Sequence, residues 1–400
     1  MRLGLTSTPT ILEHTLPMAL IWEWLQVDMG KQSGTVSNIL IAAVMKQPPT
    51  QMPLTFVCRT QQAGRSWPAK GASWGTETVA PAALLHRTSA TSPLQFRVDE
   101  SVRDGLARIS CELIQRALAR IECAGKNRGE DLHQVRVTIK RLRALLRLAR
   151  PVISEAFCDR ENRRLKATAD RLAFFRDTTV SRQTLAALAK RVADKRSEGA
   201  FDLVLARFVE QGPDRSRFRV RRERALRHAA ASLAESKRSF ENMLVPAEDW
   251  QALGPGVQKV YGRARNRMLR ALTYQTPEAF HEWRKQVKYL YYQMQMLGSI
   301  SPKRLEAMVR RLRKLEDWLG EDHDLAVLER LLCDGRQQYG GKRAVKCVVA
   351  CLVRQSEKLR GQTAALGTDI FQEKPRKFVD KLEKQWTAWR GSANSKGRLG

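Results

Sequence analysis

The sequence is poor in acidic residues. Its 400 residues include 71 Lys and Arg but only 41 Asp and Glu, which gives a formal net charge of +30 at pH 7. Because a surplus of one sign repels itself in a compact chain, we expect a polyanionic partner. The hydrophobic share of 43% and the charged share of 28% are close to ordinary globular usage, which excludes a wholly disordered or collagen-like chain.

The cysteines do not have the spacing of a disulfide framework or of a metal site. The seven cysteines form no C-x-x-C pair, and their odd number and wide spacing fit neither a set of disulfides nor a zinc cluster. We therefore expect reduced thiols in an intracellular, cytoplasmic protein. Cys347 and Cys351 lie one helical turn apart, and with no His or third Cys nearby this spacing favours core packing over metal binding.

Long apolar runs are missing. Residues 16–25 and 39–45 are too short to span a bilayer, and Glu13 and Glu23 do not fit a signal peptide. We therefore expect no contact with a membrane. Residues 1–95 hold seven Lys or Arg and four Asp or Glu and are rich in Thr, Ser, Pro and Gln. We expect this stretch to be poorly ordered, or to be an upstream extension from a wrongly assigned start codon.

The remaining sequence has the periodicity of helices and no competing strand signal. Apolar residues recur at helical spacing from Val102 to Ile121, directly after an acidic, capping start at residues 99–101. The sequence therefore predicts an all-α fold, beginning with a helix at this point.

Glycine and proline divide the rest of the chain. They are expected to separate segments of helix length, for example at residues 254–256 (Gly-Pro-Gly) and at Gly320. The helical domain is predicted to cover residues 96–390. The last residues, 391–400, are expected to form a disordered tail.

An internal repeat organises the helical part. Residues 132–148 and 280–296 superimpose without a gap at an offset of 148. The matching pairs include His133 with His281, Arg136 with Arg284, Lys140 with Lys288 and, after one deletion, Arg163 and Arg164 with Arg310 and Arg311. We expect a duplicated helical unit, with one copy over about residues 97–245 and the other over about 255–390, packed about a pseudo-twofold axis.

The first copy places its basic residues on one helical face. At roughly 100° per residue, five of them fall in a stripe about 80° wide beside the apolar face. These five are His133, Arg136, Lys140, Arg143 and Arg147. A solvated helix usually interleaves carboxylates with its cations, but none occurs between Leu132 and Ser154. We therefore expect the stripe to point partly inward, into a cleft without acidic neighbours.

The second copy repeats most of this stripe. It keeps His281, Arg284 and Lys288, adds Lys285 at the edge, and has Tyr291 and Gln295 at the last two positions. A single histidine is usually a packing residue, but its duplication with the same basic neighbours favours a ligand-facing role. Nearby cations should lower the pKa of each histidine, and an arriving phosphate should raise it again. Binding is therefore expected to take up protons.

These residues resemble the CHAD family, the conserved histidine α-helical domain. The resemblance is carried by the His-x-x-Arg-x-x-x-Lys-Arg-Leu-Arg helix, by its second copy and by Leu-Gly-x-x-x-Asp-Leu-x-Val-Leu at 319–328, and it covers about residues 97–390. It implies two pseudo-symmetric four-helix-type bundles around a central basic cleft. It also implies binding of inorganic polyphosphate and association with polyphosphate granules.

The resemblance further implies which residues line the cleft. One wall would hold His133, Arg136, Lys140, Arg143 and Arg147, the other His281, Arg284, Lys285 and Lys288, with contributions from Arg163, Arg164, Arg310 and Arg311. The sequence departs from the family pattern at Tyr291 and Gln295, which are not basic, and at residues 178–181, a weak version of the Asp-Leu-x-Val signal. It lacks the alternating Glu-x-Glu-x-Lys of the triphosphate-tunnel domain that many relatives carry.

Two other function classes remain open. A non-specific nucleic-acid binder would share the phosphate chemistry, but the sequence has no zinc finger, no Gly-rich recognition loop and no aromatic stacking platform. Trp283, Trp318, Tyr289 and Tyr292 are expected to pack in the core. The second class is an enzyme, either a metal-dependent phosphohydrolase or a histidine phosphotransfer protein.

The enzyme class is the weaker of the two. The only repeated carboxylates, Asp177 and Asp324, are expected to be helix-terminal or ion-pairing residues. Metal catalysis needs His and carboxylates around an open coordination position, whereas the repeated histidines stand among cations. We therefore expect no catalysis, no cofactor and no metal.

Overall fold

The chain is described by a computed structural model, which covers residues 94–122, 128–192, 197–210 and 215–396. Within these ranges the chain forms α-helices and no strand, so the predicted all-α fold is confirmed. The elements are α1 (Val102–Glu122), α2 (Arg128–Ala149), α3 (Glu155–Val192), α4 (Glu198–Glu210), α5 (Arg215–Glu241), α6 (Asp249–Tyr274), α7 (Pro277–Met296), a 3-10 turn (Gly298–Ile300), α8 (Pro302–Asp334), α9 (Gly341–Ile370) and α10 (Pro375–Lys396). The expectations for residues 1–93 lie outside the described residues.

Side-chain caps fix the starts of two helices. The Ser101 hydroxyl accepts a hydrogen bond of 3.0 Å from the Asp104 amide at the start of α1. Thr276 does the same for the Ala279 amide, at 3.2 Å, and Pro277 occupies the first turn of α7. Both arrangements satisfy amides that have no partner within the helix. The cap at Thr276 fixes the start of α7, five residues before His281.

The helices pack in two groups. In the first, α1 and α3 each contact both α2 and α5; in the second, α7 contacts α6 and α8, and α9 contacts both α8 and α6. Helix α2 packs against α6 and α7 and so joins the groups. The two helices that carry the repeated histidines are therefore direct neighbours. The pseudo-twofold relation between the copies stays a prediction.

Aromatic residues of α7 belong to the main core. Trp283 is fully buried, and Tyr289 and Tyr292 are buried, as expected of packing residues. Trp318 is only partly covered, with the Lys314 ammonium 4.9 Å from its ring centroid. A second, smaller core joins the ends of α3 and α8 to α4 and α9, and Cys351 is buried in it.

Two predicted breaks do not divide the chain. Residues 254–256 lie inside α6. Gly256 allows this helix to approach α2, since a Cβ at this position would stand 1.9 Å from the Leu148 carbonyl oxygen. Gly320 lies inside α8, and a Cβ at this position would be 3.3 Å from Nη2 of Arg284. These glycines make room for a neighbouring element, which is a different use from ending a helix.

The end of the helical region also differs from the expectation. Instead of a disordered tail from residue 391, α10 continues to Lys396, and residues 397–400 lie outside the described residues. Arg390 anchors this helix by donating a hydrogen bond of 2.7 Å to the Val98 carbonyl and by lying over the Trp386 ring. Among the described helices, none has an apolar stretch that would cross a bilayer.

Candidate functional site

The five basic residues of α2, hereafter the first row, lie at the edge of the core. They are His133, Arg136, Lys140, Arg143 and Arg147, and each is partly buried. Val135, Ile139 and Leu142 of the same helix are fully buried. The row therefore runs along the margin between the apolar interior and the surface, where a charge keeps a strong field because water screens it poorly.

Neutral groups hold several members of the first row. Arg136 donates from Nη1 to the Ala169 carbonyl at 2.8 Å, and Arg143 donates from Nε to Oδ1 of Asn162 at 3.1 Å. Arg147 donates to the Arg143 carbonyl at 2.7 Å and lies 3.9 Å from the centroid of the Tyr289 ring. Such contacts orient the guanidinium groups without neutralising their charge.

The four basic residues of α7, hereafter the second row, are His281, Arg284, Lys285 and Lys288. Arg284 and Lys288 both contact the Glu316 carboxylate of α8, at 3.3 Å and 2.5 Å. Lys285 pairs with Glu282 at 2.6 Å. The expectation of a cleft without acidic neighbours is therefore wrong for the second row. One carboxylate, Glu316, comes from α8, and the other, Glu282, from the first turns of α7 itself.

The two rows meet near Glu316. Arg284 and Lys288 contact this carboxylate, and the charge of Lys140 acts on it more weakly. Burial by itself would raise the pKa of Glu316, but Lys288, Arg284 and Lys140 outweigh that effect and lower the pKa to about 2. The neighbouring Asp317 is exposed, and partial burial of its carboxyl group together with the Glu316 charge raises its pKa to about 6. The cations of the second row therefore dominate at Glu316 but not at the carboxyl group beside it.

A histidine pair lies at one end of the second row. Nδ1 of His281 is 3.1 Å from Nδ1 of His323, and the ring centroids are 4.3 Å apart. Burial, followed by the charges of Arg284 and Lys285, lowers the pKa of His281. The predicted direction of this shift is confirmed. His323 aligns with Arg176 in the first copy, so the sequence marks it as a repeat position but not as a partner of His281.

The other predicted basic residues lie on α3 and α8. Arg164 pairs with the carboxylates of Glu161 and of Glu235 on α5, and Arg311 pairs with Asp369 on α9. Arg163 and Arg310 are exposed. Arg164 and Arg311 are therefore held by carboxylates in the α3–α5 and α8–α9 seams, and the contribution of all four residues to the cleft stays a prediction.

The repeated carboxylates are not helix-terminal. Asp177 lies in the interior of α3 and Asp324 in the interior of α8, which continues through the break expected at Gly320. A different carboxylate, Asp322, is buried and accepts from Arg360 at 3.0 Å. In the described ranges, no three His, Cys, Asp or Glu side chains gather as metal ligands.

Comparison with known proteins identifies this all-helical, cation-lined fold. The CHAD domain family matches residues 112–333, more than half of the chain. The chain belongs to the CHAD family, as the duplicated His helix predicted.

A solved CHAD-domain structure shares the fold. A crystal structure of the CHAD domain from the plant Ricinus communis is 20% identical and covers 72% of this chain and 97% of its own, with a TM-score of 0.53. PptA from Streptomyces chartreusis is 16% identical and covers 68% of this chain and 98% of its own, with a TM-score of 0.44. No curated protein matches the chain.

Proposed function

We propose that this chain binds inorganic polyphosphate along the first and second rows. The observation that carries the proposal is that the two rows lie on helices packed directly against each other, and that the charge of Lys140 in one row acts on the same carboxylate that Arg284 and Lys288 of the other contact. A linear polymer with about one negative charge per unit needs a continuous line of cations, which Arg forks and Lys ammonium groups supply.

Family membership supports the same ligand. Polyphosphate binding is a known property of the CHAD family, to which residues 112–333 belong. We propose accordingly that the protein acts in the cytoplasm in association with polyphosphate granules. The proposed role is binding without catalysis; release of orthophosphate from polyphosphate on addition of a divalent metal would contradict this part.

A filter-binding competition separates polyphosphate from nucleic acid as the ligand. The full chain is loaded with labelled duplex DNA and titrated with long-chain polyphosphate, and the reverse titration is made in parallel. We expect polyphosphate to displace DNA at low micromolar phosphate, because the partly buried rows fit a thin linear polyanion better than a rigid duplex. DNA displacing polyphosphate at comparable phosphate concentration would favour the nucleic-acid function instead.

Protonation of the repeated histidines should make binding dependent on pH. Since the pKa of His281 is lowered in the protein and a bound phosphate raises it, binding takes up protons and tightens as the pH falls from 8 to 6. The double variant His133→Ala with His281→Ala should bind more weakly and show a flatter dependence. Calorimetry at several pH values measures the affinity, with long polyphosphate chains so that the few terminal phosphates add little to the pH dependence. A double variant with the same pH profile as the wild type would argue against the coupling between protonation and binding.

A further inference from the structure

Glu316 stands at a position that differs in charge between the two copies of the repeat. In the alignment that pairs Arg163 with Arg310, it matches Ala169 of the first copy. Both residues lie on the helix that follows a His helix, Ala169 on α3 and Glu316 on α8. The duplication has thus placed a carboxylate in one copy where the other has a methyl group.

The equivalent arginines of the two copies each contact the residue at this position. In the first copy, Arg136 donates to the backbone carbonyl of Ala169 at 2.8 Å. In the second copy, Arg284 contacts the side-chain carboxylate of Glu316 at 3.3 Å. Gly320, one turn further along α8, leaves the space that the Arg284 guanidinium occupies. Each copy therefore directs an arginine to the equivalent position of the repeat, but only the second copy presents an anion there.

The Glu316 carboxylate imitates one unit of the proposed ligand. It contacts Arg284 and Lys288, and only 13% of its side chain is exposed. Because its pKa is about 2, it keeps its charge at any pH near neutrality. A phosphate that approaches Arg284 and Lys288 must therefore displace the carboxylate or bind against its repulsion.

We infer that Glu316 is an internal competitor of the ligand, which occupies a phosphate position in the second row and makes that half of the site the weaker half. This inference rests on the proposed binding of polyphosphate. It has two consequences of opposite sign. The carboxylate stabilises the protein without ligand, since it compensates partly buried cations, and it lowers the affinity for the polymer.

The substitution Glu316→Gln tests both consequences. It preserves the shape of the side chain and an acceptor oxygen but removes the charge. We expect polyphosphate affinity to rise by about tenfold, the effect of one close charge contact, while the melting temperature without polyphosphate falls. Glu210→Gln is the matched control, because Glu210 is an exposed carboxylate paired with Arg207 at 2.7 Å, and it should change neither quantity appreciably.

The reciprocal variant Ala169→Glu tests the inference from the first copy. It places a carboxylate beside Arg136, at a partly exposed position on α3 that borders the main core. Polyphosphate affinity should fall by about tenfold with helicity retained. This variant decides the question even if Glu316→Gln fails to fold.

The outcomes separate the inference from the function on which it rests. Wild-type binding of polyphosphate, with Glu316→Gln equal to it or weaker and Ala169→Glu unchanged, would overturn the role of Glu316 and leave the function standing. Failure of the wild-type protein itself to bind would remove the proposed function and the inference together. Tighter binding by Glu316→Gln with weaker binding by Ala169→Glu would support both.

Discussion

Replacing Arg136 and Arg284 together by Ala is expected to abolish detectable polyphosphate binding while the helical circular-dichroism signal is retained. Each guanidinium would donate charge-assisted hydrogen bonds to the polymer from one of the two rows. Since such bonds contribute about 1.5–3 kcal/mol each, the double variant should lose on the order of 100-fold or more in affinity. Isothermal titration with long-chain polyphosphate measures the loss.

A matched control separates this effect from the loss of two positive charges. Arg116 and Arg207 are exposed and pair with Glu112 and Glu210 of their own helices, α1 and α4, which carry neither row. The double variant Arg116→Ala with Arg207→Ala carries the same change in net charge and should bind nearly as well as the wild type. If both double variants bind equally, the two rows are not the site.

Replacing Gly256 by Ala is expected to destabilise the whole helical body. The added Cβ would lie 1.9 Å from the Leu148 carbonyl oxygen and 2.7 Å from its carbon, so α6 would have to move away from α2. Both atoms belong to the backbone and cannot turn aside as a flexible side chain can. Overpacking of this kind costs typically ~1–3 kcal/mol, and at a backbone contact the upper end outweighs the ~1 kcal/mol that Ala gains over Gly in a helix.

Gly262 provides the control in the same helix. A Cβ there would be 3.5 Å from Pro375, an ordinary contact distance. Gly262→Ala should therefore raise the melting temperature slightly or leave it unchanged, whereas Gly256→Ala should lower it by several degrees. Thermal unfolding followed by circular dichroism distinguishes them, and equal melting temperatures would show that α6 and α2 do not approach so closely.

Both rows could be predicted from the sequence because each lies on a single helix. Helical spacing alone places Arg136 and Lys140 on one face, and the duplication marks Arg284 and Lys288 as their counterparts. Burial is the largest cause of the lowered pKa of His281, and the sequence supplied only the second cause, the charges of Arg284 and Lys285 within four residues of it. Periodicity also predicts the all-α fold, since apolar residues at helical spacing must pack against other helices.

The contacts between helices could not be predicted in this way. The partner of Lys288 is Glu316, 28 positions away on another helix, and the partner of Arg164 is Glu235, 71 positions away on α5. A basic residue in a repeat can face either seam of its helix, and only the packing decides which. The need for a glycine at position 256 also comes from a contact between helices, since a larger residue would collide with the Leu148 backbone of α2.

The two rows are proposed to act as one site for a linear phosphate polymer. A calorimetric titration of the full chain with polyphosphates of graded length tests this proposal most directly. Affinity should increase with chain length until the polymer contacts both rows and then level off, and it should fall steeply with added salt because counterions are released on binding. Equal affinity for orthophosphate and for long chains, with little effect of salt, would contradict the account.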